Sequence, residues 1–250
     1  MVTLKSKREL EIMRDAGRIV AEILDLLRPH CLAGVRTRDL DRIAEEETIK
    51  RSAQPAFKGY RGYPASLCAS VNQEVVHGIP GNRELRQGDI ISLDYGVIYK
   101  GYHGDASVTV PIGEVAPEIL NLLRVTEECL YLGIDQAVPG NHLSDISRAI
   151  QNHAESHGYS VVKELGGHGI GKRMHEEPMV LNYVTNGRGI RMQPGLVLAL
   201  EPMLNLGADA IRTLSDGWTV VTADGKPSAH FEHTVAITPE GPEILTRAAG

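Results

Sequence analysis

Behind Ser6-Lys7-Arg8-Glu9, which has the form of a capping box, apolar or small residues recur at helical spacing (Met13, Gly17, Val20, Leu24, Leu27) as far as Pro29. The pattern predicts a helix of about five turns with one buried face. A second helix starts near Thr37, with Leu40, Ile43 and Ala44 inward. Residues 54–64, rich in Gly, Tyr and Pro, read as an exposed loop. The period then shortens. Strands are expected at 67–71 and 75–77, and at 89–98 and 102–110 on either side of a Tyr99-Lys100-Gly101 turn. Helices follow at about 117–137 and 143–157, then strands near 196–204, 219–222 and 231–237.

The order of helices, strands, helices and strands suggests a duplication. Gly34 and Asp39 recur as Gly140 and Asp145, an offset of 106, with Leu40 matching Ile146 and Arg42 matching Arg148. Gly88 and Asp94 recur as Gly195 and Glu201, an offset of 107. Chance coincidence of common residues is the other account, but in both places an apolar strand ends in a carboxylate. The pattern suggests repeated halves of about 1–115 and 116–250, which at this length could form one large α+β domain, 1–250, or two small ones.

Composition narrows the class. A 42% hydrophobic share over 250 residues builds a substantial core, and no apolar run approaches the roughly 20 residues that span a bilayer. The start is charged where a secretory signal would be apolar, so a cytoplasmic chain that keeps its first methionine is expected. Cys31, Cys68 and Cys129 are odd in number and lack Cys-x-x-Cys spacing, which disfavours a disulfide framework or a structural zinc knuckle. A net charge of -6 with no long basic run leaves no footprint for nucleic acid or an anionic membrane.

The candidate chemistry centres on E-L-G-G-H-G-I-G-K-R-M-H-E-E-P, residues 164–178, where four glycines surround His168 and His175 follows seven residues later. Asp94 and Asp105 flank the expected turn almost symmetrically. In a symmetric hairpin they stand opposite each other, a repulsion that a cation would remove; an asymmetric turn would leave both facing water. Glu201 ends the run Val197-Leu198-Ala199-Leu200, and Glu232 sits in Phe231-Glu232-His233-Thr234. Acids embedded in apolar strands are rarely buried without a partner. Four carboxylates and one imidazole suit Mn, Fe(II), Co or Zn and carry enough charge for two such ions, whereas the acids are too scattered for a calcium loop.

These residues resemble the type I methionine aminopeptidases. The likeness covers nearly the whole chain through N-Q-E-V-V-H-G-I-P (72–80), D-Y-G-V-I-Y-K-G-Y-H-G-D (94–105), G-H-G-I-G-K-R-M-H-E-E-P (167–178), L-E-P-M (200–203), D-G-W-T (216–219) and F-E-H-T (231–234). It implies the pita-bread fold, in which two pseudo-symmetric α/β halves surround a curved antiparallel sheet, as a single catalytic domain. It also implies removal of the amino-terminal methionine from nascent polypeptides whose second residue is small, by attack of a metal-bridging hydroxide on the first peptide bond. Asp94, Asp105, His168, Glu201 and Glu232 are then the ligands of two divalent ions (Co, Mn, Fe(II) or Zn), with Asp105 and Glu232 bridging. Glu201 serves as general base, His175 donates to the developing oxyanion, and His77 hydrogen-bonds the scissile amide region. Tyr60, Tyr63, Cys68, His77 and Trp218 line the methionine pocket, although ordinary packing also accounts for the tyrosines, Cys68 and Trp218. Asn72 and Ser228 match a monovalent site for Na or K. A monomer acting close to the ribosome is implied.

Some positions depart from the family pattern: Ala199 where threonine is common, His230 where glutamine often stands, and Phe57 and Arg61 in the pocket loop. None removes an implied ligand. Two other functions share these features, an enzyme of the same fold that cleaves Xaa-Pro peptides and a binding protein that has lost its metals. The length disfavours the first, since prolidase and creatinase types carry a large preceding domain, and the intact acids disfavour the second.

Overall fold

The computed structural model describes residues 2–247. The first helix, α1 (Lys7–Leu27), is capped as predicted: Ser6 Oγ accepts from the Glu9 N–H, and the Glu9 carboxylate accepts from the Ser6 N–H at 2.8 Å. A 3-10 turn, Arg28–His30, takes over at Pro29, and α2 (Thr37–Lys50) follows. Next come β1 (Gln54–Pro55), β2 (Cys68–Val71), β3 (Glu74–Val76), β4 (Ile90–Tyr99) and β5 (Tyr102–Pro111), then α3 (Pro117–Asp135) and α4 (Leu143–Ser156). The last part holds β6 (Ser160–Val161), β7 (Gly166–Gly169), β8 (Glu176–Leu181), β9 (Val197–Leu200), β10 (Met203–Asn205), β11 (Ile211–Thr213) and β12 (Val220–Thr222). It closes with β13 (Ser228–His230), β14 (Glu232–Thr238) and β15 (Gly241–Ile244).

One nine-stranded sheet organises the molecule. Its order is β1-β4-β5-β14-β9-β7-β8, with β2 also paired to β4 and β15 to β14, and every pairing is antiparallel. Two small sheets, β13-β10-β6 and β11-β12-β3, flank it. Helix α1 lies across β4 and β5, and the approach is close because Gly104 has no side chain: a Cβ there would meet the backbone of Ala16 and Gly17 at 2.9 Å. Ile19, Val20, Ile23 and Leu27 of α1 are buried in one core with Leu93, Tyr95 and Val97 of β4. Each fully buried aliphatic side chain contributes about 1.5–3 kcal/mol. Helices α3 and α4 pack on each other, and α3 reaches β9, β10, β13 and β14.

Three expectations need correction. The β4–β5 turn is the two-residue Lys100-Gly101, both at positive φ, so Tyr99 pairs with Tyr102 and the register sets Asp94 opposite Ser107 and Asp105 opposite Gly96. The two acids are therefore diagonal neighbours on one face. Residues 54–64 form a largely irregular loop that is only partly exposed, because Ala56, Phe57 and Tyr63 are buried and Gln54–Pro55 pairs with β4. The strand expected over 196–204 is two strands in different sheets, β9 and β10, broken at Glu201-Pro202. The strand expected near 231–237 is present as β14, with Phe231 separating it from β13.

Candidate active site

Five neighbouring strands of the main sheet each bring one candidate ligand to a single place. In sheet order β4 carries Asp94, β5 Asp105, β14 begins with Glu232, β9 ends just before Glu201, and β7 carries His168. Ser107 stands opposite both Asp94 and Glu232, and Leu200 opposite His233, so one more step along each strand sets Glu201 beside Glu232. Side chains alternate between faces with a period of two, and this register turns all the acids to one side. They line a cavity of about 160 Å³ together with His77, His168, His175 and an apolar rim that includes Phe57, Tyr63, Met174 and Trp218. A cavity of roughly 150 Å³ admits a benzene-sized group, so the volume suits one side chain of moderate length.

The acids are held in a state they cannot tolerate alone. Burial raises the pKa of Asp94 to about 7. Burial, and then repulsion from the neighbouring acids, pushes Asp105, Glu201 and Glu232 well above the usual carboxylate range. Asp94 Oδ1, Asp105 Oδ1 and Glu232 Oε1 are buried without a hydrogen-bond partner, a condition that normally marks a bound ion or water. Ligand atoms of Asp105, His168 and Glu232 lie within 4.8 Å of one another. His168 Nδ1 is 2.9 Å from the Gly169 carbonyl, which can only accept, so Nδ1 carries the proton and Nε2 keeps its lone pair. Nε2 in turn lies 3.6 Å from Glu201 Oε1. Orphaned carboxylate oxygens around a free imidazole lone pair make a donor set that fits hard or borderline divalent cations.

Around this cluster sit the other candidate groups. The outer side of His175 is open to solvent, while burial of its inner side, with His168 and Arg61 next in effect, pushes its pKa down to about 3. Tyr60 stacks on it at 5.4 Å between ring centroids. His77 directly follows β3 with φ +59, a conformation costly for a non-glycine residue and most often kept where function needs it. Its ring meets Trp218 edge-on at 6.2 Å, and Trp218 meets Tyr63 at 5.1 Å. The Tyr63 hydroxyl lies 3.1 Å from the Leu67 carbonyl and 3.0 Å from that of Gly78, so it is committed to the backbone and only its ring faces the cavity. Cys68 is opposite Asp94 in the β2–β4 pair, and burial followed by the Asp94 charge raises its thiol well above the ordinary range.

All the candidate ligands, His77, His175 and the pocket residues Tyr60, Tyr63, Cys68 and Trp218 share this cavity. Asn72 and Ser228 do not line it. They meet elsewhere through Ser228 N–H to Asn72 O at 2.9 Å, with the Asn72 side chain already bonded to Asp89 and to the Ile90 N–H. Met174 belongs to the rim but was not singled out from the sequence, where its only signal is its place beside His175. His230, marked in the sequence only as a departure from the family pattern, is placed by the structure: the ring is buried behind Glu201 and Glu232 with neither nitrogen bonded.

Against known proteins, the model of metallopeptidase family M24 matches residues 11–239. The chain is 52% identical to methionine aminopeptidase of Clostridium perfringens over 98% of its own length and 99% of that protein. To methionine aminopeptidase 1 of Bacillus subtilis it is also 52% identical, over 99% and 100%. The crystal structure of methionine aminopeptidase from Thermotoga maritima superposes with a TM-score of 0.97 at 43% identity, covering 99% of this chain and all of that one. The expected α+β pita-bread fold is thus present. The chain belongs to metallopeptidase family M24, a family that implies divalent metal binding. Within that family it groups with the type I-like bacterial methionine aminopeptidases, and it is a hydrolase, a metallo-exopeptidase of the methionyl aminopeptidase kind. Among the described residues no helix is long and apolar enough to cross a membrane.

Proposed function

We propose that this chain removes the amino-terminal methionine from nascent proteins and peptides whose second residue is small, acting as a cytoplasmic monomer near the ribosome. The observation that carries the reading is the convergence of Asp94, Asp105, His168, Glu201 and Glu232 from five adjacent strands on one cavity, with buried oxygens left unpaired. These five residues would hold two divalent ions. Ions held there supply Lewis acidity, polarising the scissile carbonyl and making water nucleophilic near neutral pH.

The chain's own groups do the rest. Glu201 accepts the proton from the attacking water and returns it to the leaving amine as the first peptide bond breaks. His175, kept neutral, gives an N–H hydrogen bond to the carbonyl oxygen as it gains charge. His77 hydrogen-bonds the amide region of the substrate. The free α-amine sits against the acidic side of the site near Asp94. The methionine side chain enters among Tyr60, Tyr63, Cys68 and Trp218, with Phe57 and Met174 completing an apolar wall suited to a thioether.

The test is hydrolysis of Met-Ala-Ser, Met-Leu-Ser and Ala-Pro-Ser by metal-stripped protein titrated with Mn, Fe(II), Co and Zn. Metal-dependent release of methionine from the first peptide alone is the expected result. Cleavage of the proline peptide alone would move the activity to the Xaa-Pro side of the fold, and silence with every metal would leave a binding protein.

A further inference from the structure

His230 is 1% exposed and lies at the end of β13 behind the candidate metal centre. Its backbone is clamped: the N–H donates to Thr109 Oγ1 at 3.0 Å, the carbonyl accepts from the same hydroxyl at 2.8 Å, and Met203 of β10 pairs beside it. The ring therefore has little freedom to leave its place. An imidazole always carries at least one N–H, yet both nitrogens are buried with no hydrogen-bond partner. Nε2 faces two acids, lying 3.8 Å from Glu201 Oε2 and 3.9 Å from Glu232 Oε2. Both separations exceed a hydrogen bond. They end on particular atoms, however: Glu201 turns Oε1 toward His168 and Oε2 toward His230, so its two oxygens face two different imidazoles.

We propose that His230 is a positioning residue of the metal centre: with its proton on Nε2 it closes the 3.8 and 3.9 Å gaps to the outer oxygens of Glu201 and Glu232 when those acids ligate, and so fixes the orientation in which their other oxygens are offered to the ions. Ligating carboxylates are commonly held by such donors, whose loss costs about 10–100-fold in metal affinity or activity. The arrangement answers two problems together. It gives a use to a buried donor that otherwise has none, and it restrains two acids whose mutual repulsion would turn them apart. The inference rests on the reading of Glu201 and Glu232 as ligands.

The test is cobalt(II) titration of the metal-stripped chain, followed by calorimetry and by the visible absorption of the bound ion, for wild type, H230L, H230Q and H230N. Circular dichroism reports the fold of each variant. H230L, which fills the space without a donor, is expected to bind cobalt about tenfold more weakly or worse. H230Q should recover most of the loss, since its amide N–H extends about as far as imidazole Nε2, whereas H230N is too short and should not. Affinity of H230L equal to wild type overturns the proposal, as does a folded H230Q no better than H230L. Should H230L fail to fold, the contrast of H230Q with H230N decides alone. An E232Q variant separates the two readings: wild-type affinity there removes Glu232 from the ligand set and this proposal with it, while wild-type affinity in H230L alone overturns only the role of His230.

Discussion

The Tyr60 hydroxyl lies 2.9 Å from Nδ1 of His175, with the two rings stacked. Phenol is the better donor and neutral imidazole the better acceptor, so the bond places the histidine proton on Nε2, the form able to donate to an oxyanion. Tyr60→Phe should keep its metal and lose roughly tenfold in kcat, the worth of one hydrogen bond that sets a tautomer. His175→Ala should also keep its metal but lose about 100-fold or more. Because burial pushes the His175 pKa down to about 3, its protonation should leave no acid limb in the kcat profile between pH 5 and 8. Turnover of His175→Ala near wild type would remove the assigned role.

Glu201 is the one acid expected both to ligate and to move a proton. Glu201→Gln preserves its shape but removes the charge and the basic site. Turnover should fall by roughly 10²–10⁴, with a smaller loss of metal affinity by titration. If affinity collapses while metal-saturated turnover is normal, Glu201 is a ligand only and the base lies elsewhere.

Stripping the metal should make stability depend on pH in a definite sense. Burial raises Asp94 from an ordinary 3.8 to about 7, and Asp105, Glu201 and Glu232 are also raised well above their ordinary values, so in this window the folded chain binds more protons than the unfolded one. Stability then falls as pH rises. The protonated cluster is fully stable below the unfolded values near 4 and loses that contribution as pH climbs through about 7, by on the order of a few kcal/mol. Thermal melts of metal-free protein should show Tm dropping from pH 5 to pH 8, and a divalent ion added at pH 8 should restore it. A flat or rising Tm for the metal-free chain would mean that the acids are solvated or paired in a way the geometry does not show.

Much of this site was legible in the sequence because acids ending apolar strands are conspicuous: Glu201 after Val197-Leu198-Ala199-Leu200 needs a partner wherever the strand goes. What the sequence could not convey was parity and reach. Whether Asp94 and Asp105 oppose or sit diagonally depends on a turn of two residues rather than three, a one-residue matter that propensity does not resolve. The break of 196–204 falls at Pro202, which has no N–H for the ladder, but the apolar run on either side of it masks the signal. Residues 54–64 have loop composition, and the burial of Phe57 and Tyr63 arises only because the loop folds over the cavity. His230 could be noted as unusual, but its meaning lies in two acids that reach it from other strands.

Tyr63 separates packing from recognition. Its hydroxyl serves the Leu67 and Gly78 carbonyls while its ring meets Trp218 in the cavity wall. Tyr63→Phe should therefore cost about 1 kcal/mol or somewhat more in stability and leave kcat/KM for a methionyl peptide little changed. Tyr63→Ala should raise KM through loss of the wall. A large kcat loss in Tyr63→Phe would show that the hydroxyl acts on substrate.

Gly167 shows how closely the ligands depend on bare backbone. It precedes His168 on β7, and a Cβ there would collide with the carbonyl oxygen of Ala199 on β9, the residue that pairs with His168. The obstacle is backbone in the middle of the sheet, so no side-chain rotation relieves it. Gly167→Ala must push β7 from β9, moving the imidazole away from Asp105 and Glu232, with which it now shares a 4.8 Å group. The expected result is a loss of about 1–3 kcal/mol or more in stability, together with weaker divalent binding by calorimetry. Gly187→Ala, where a Cβ meets nothing within 4 Å, is the control and should change neither. Normal metal affinity in Gly167→Ala would mean that β7 can shift without carrying His168 out of reach, and the strand would then be less decisive in placing the imidazole than the register suggests.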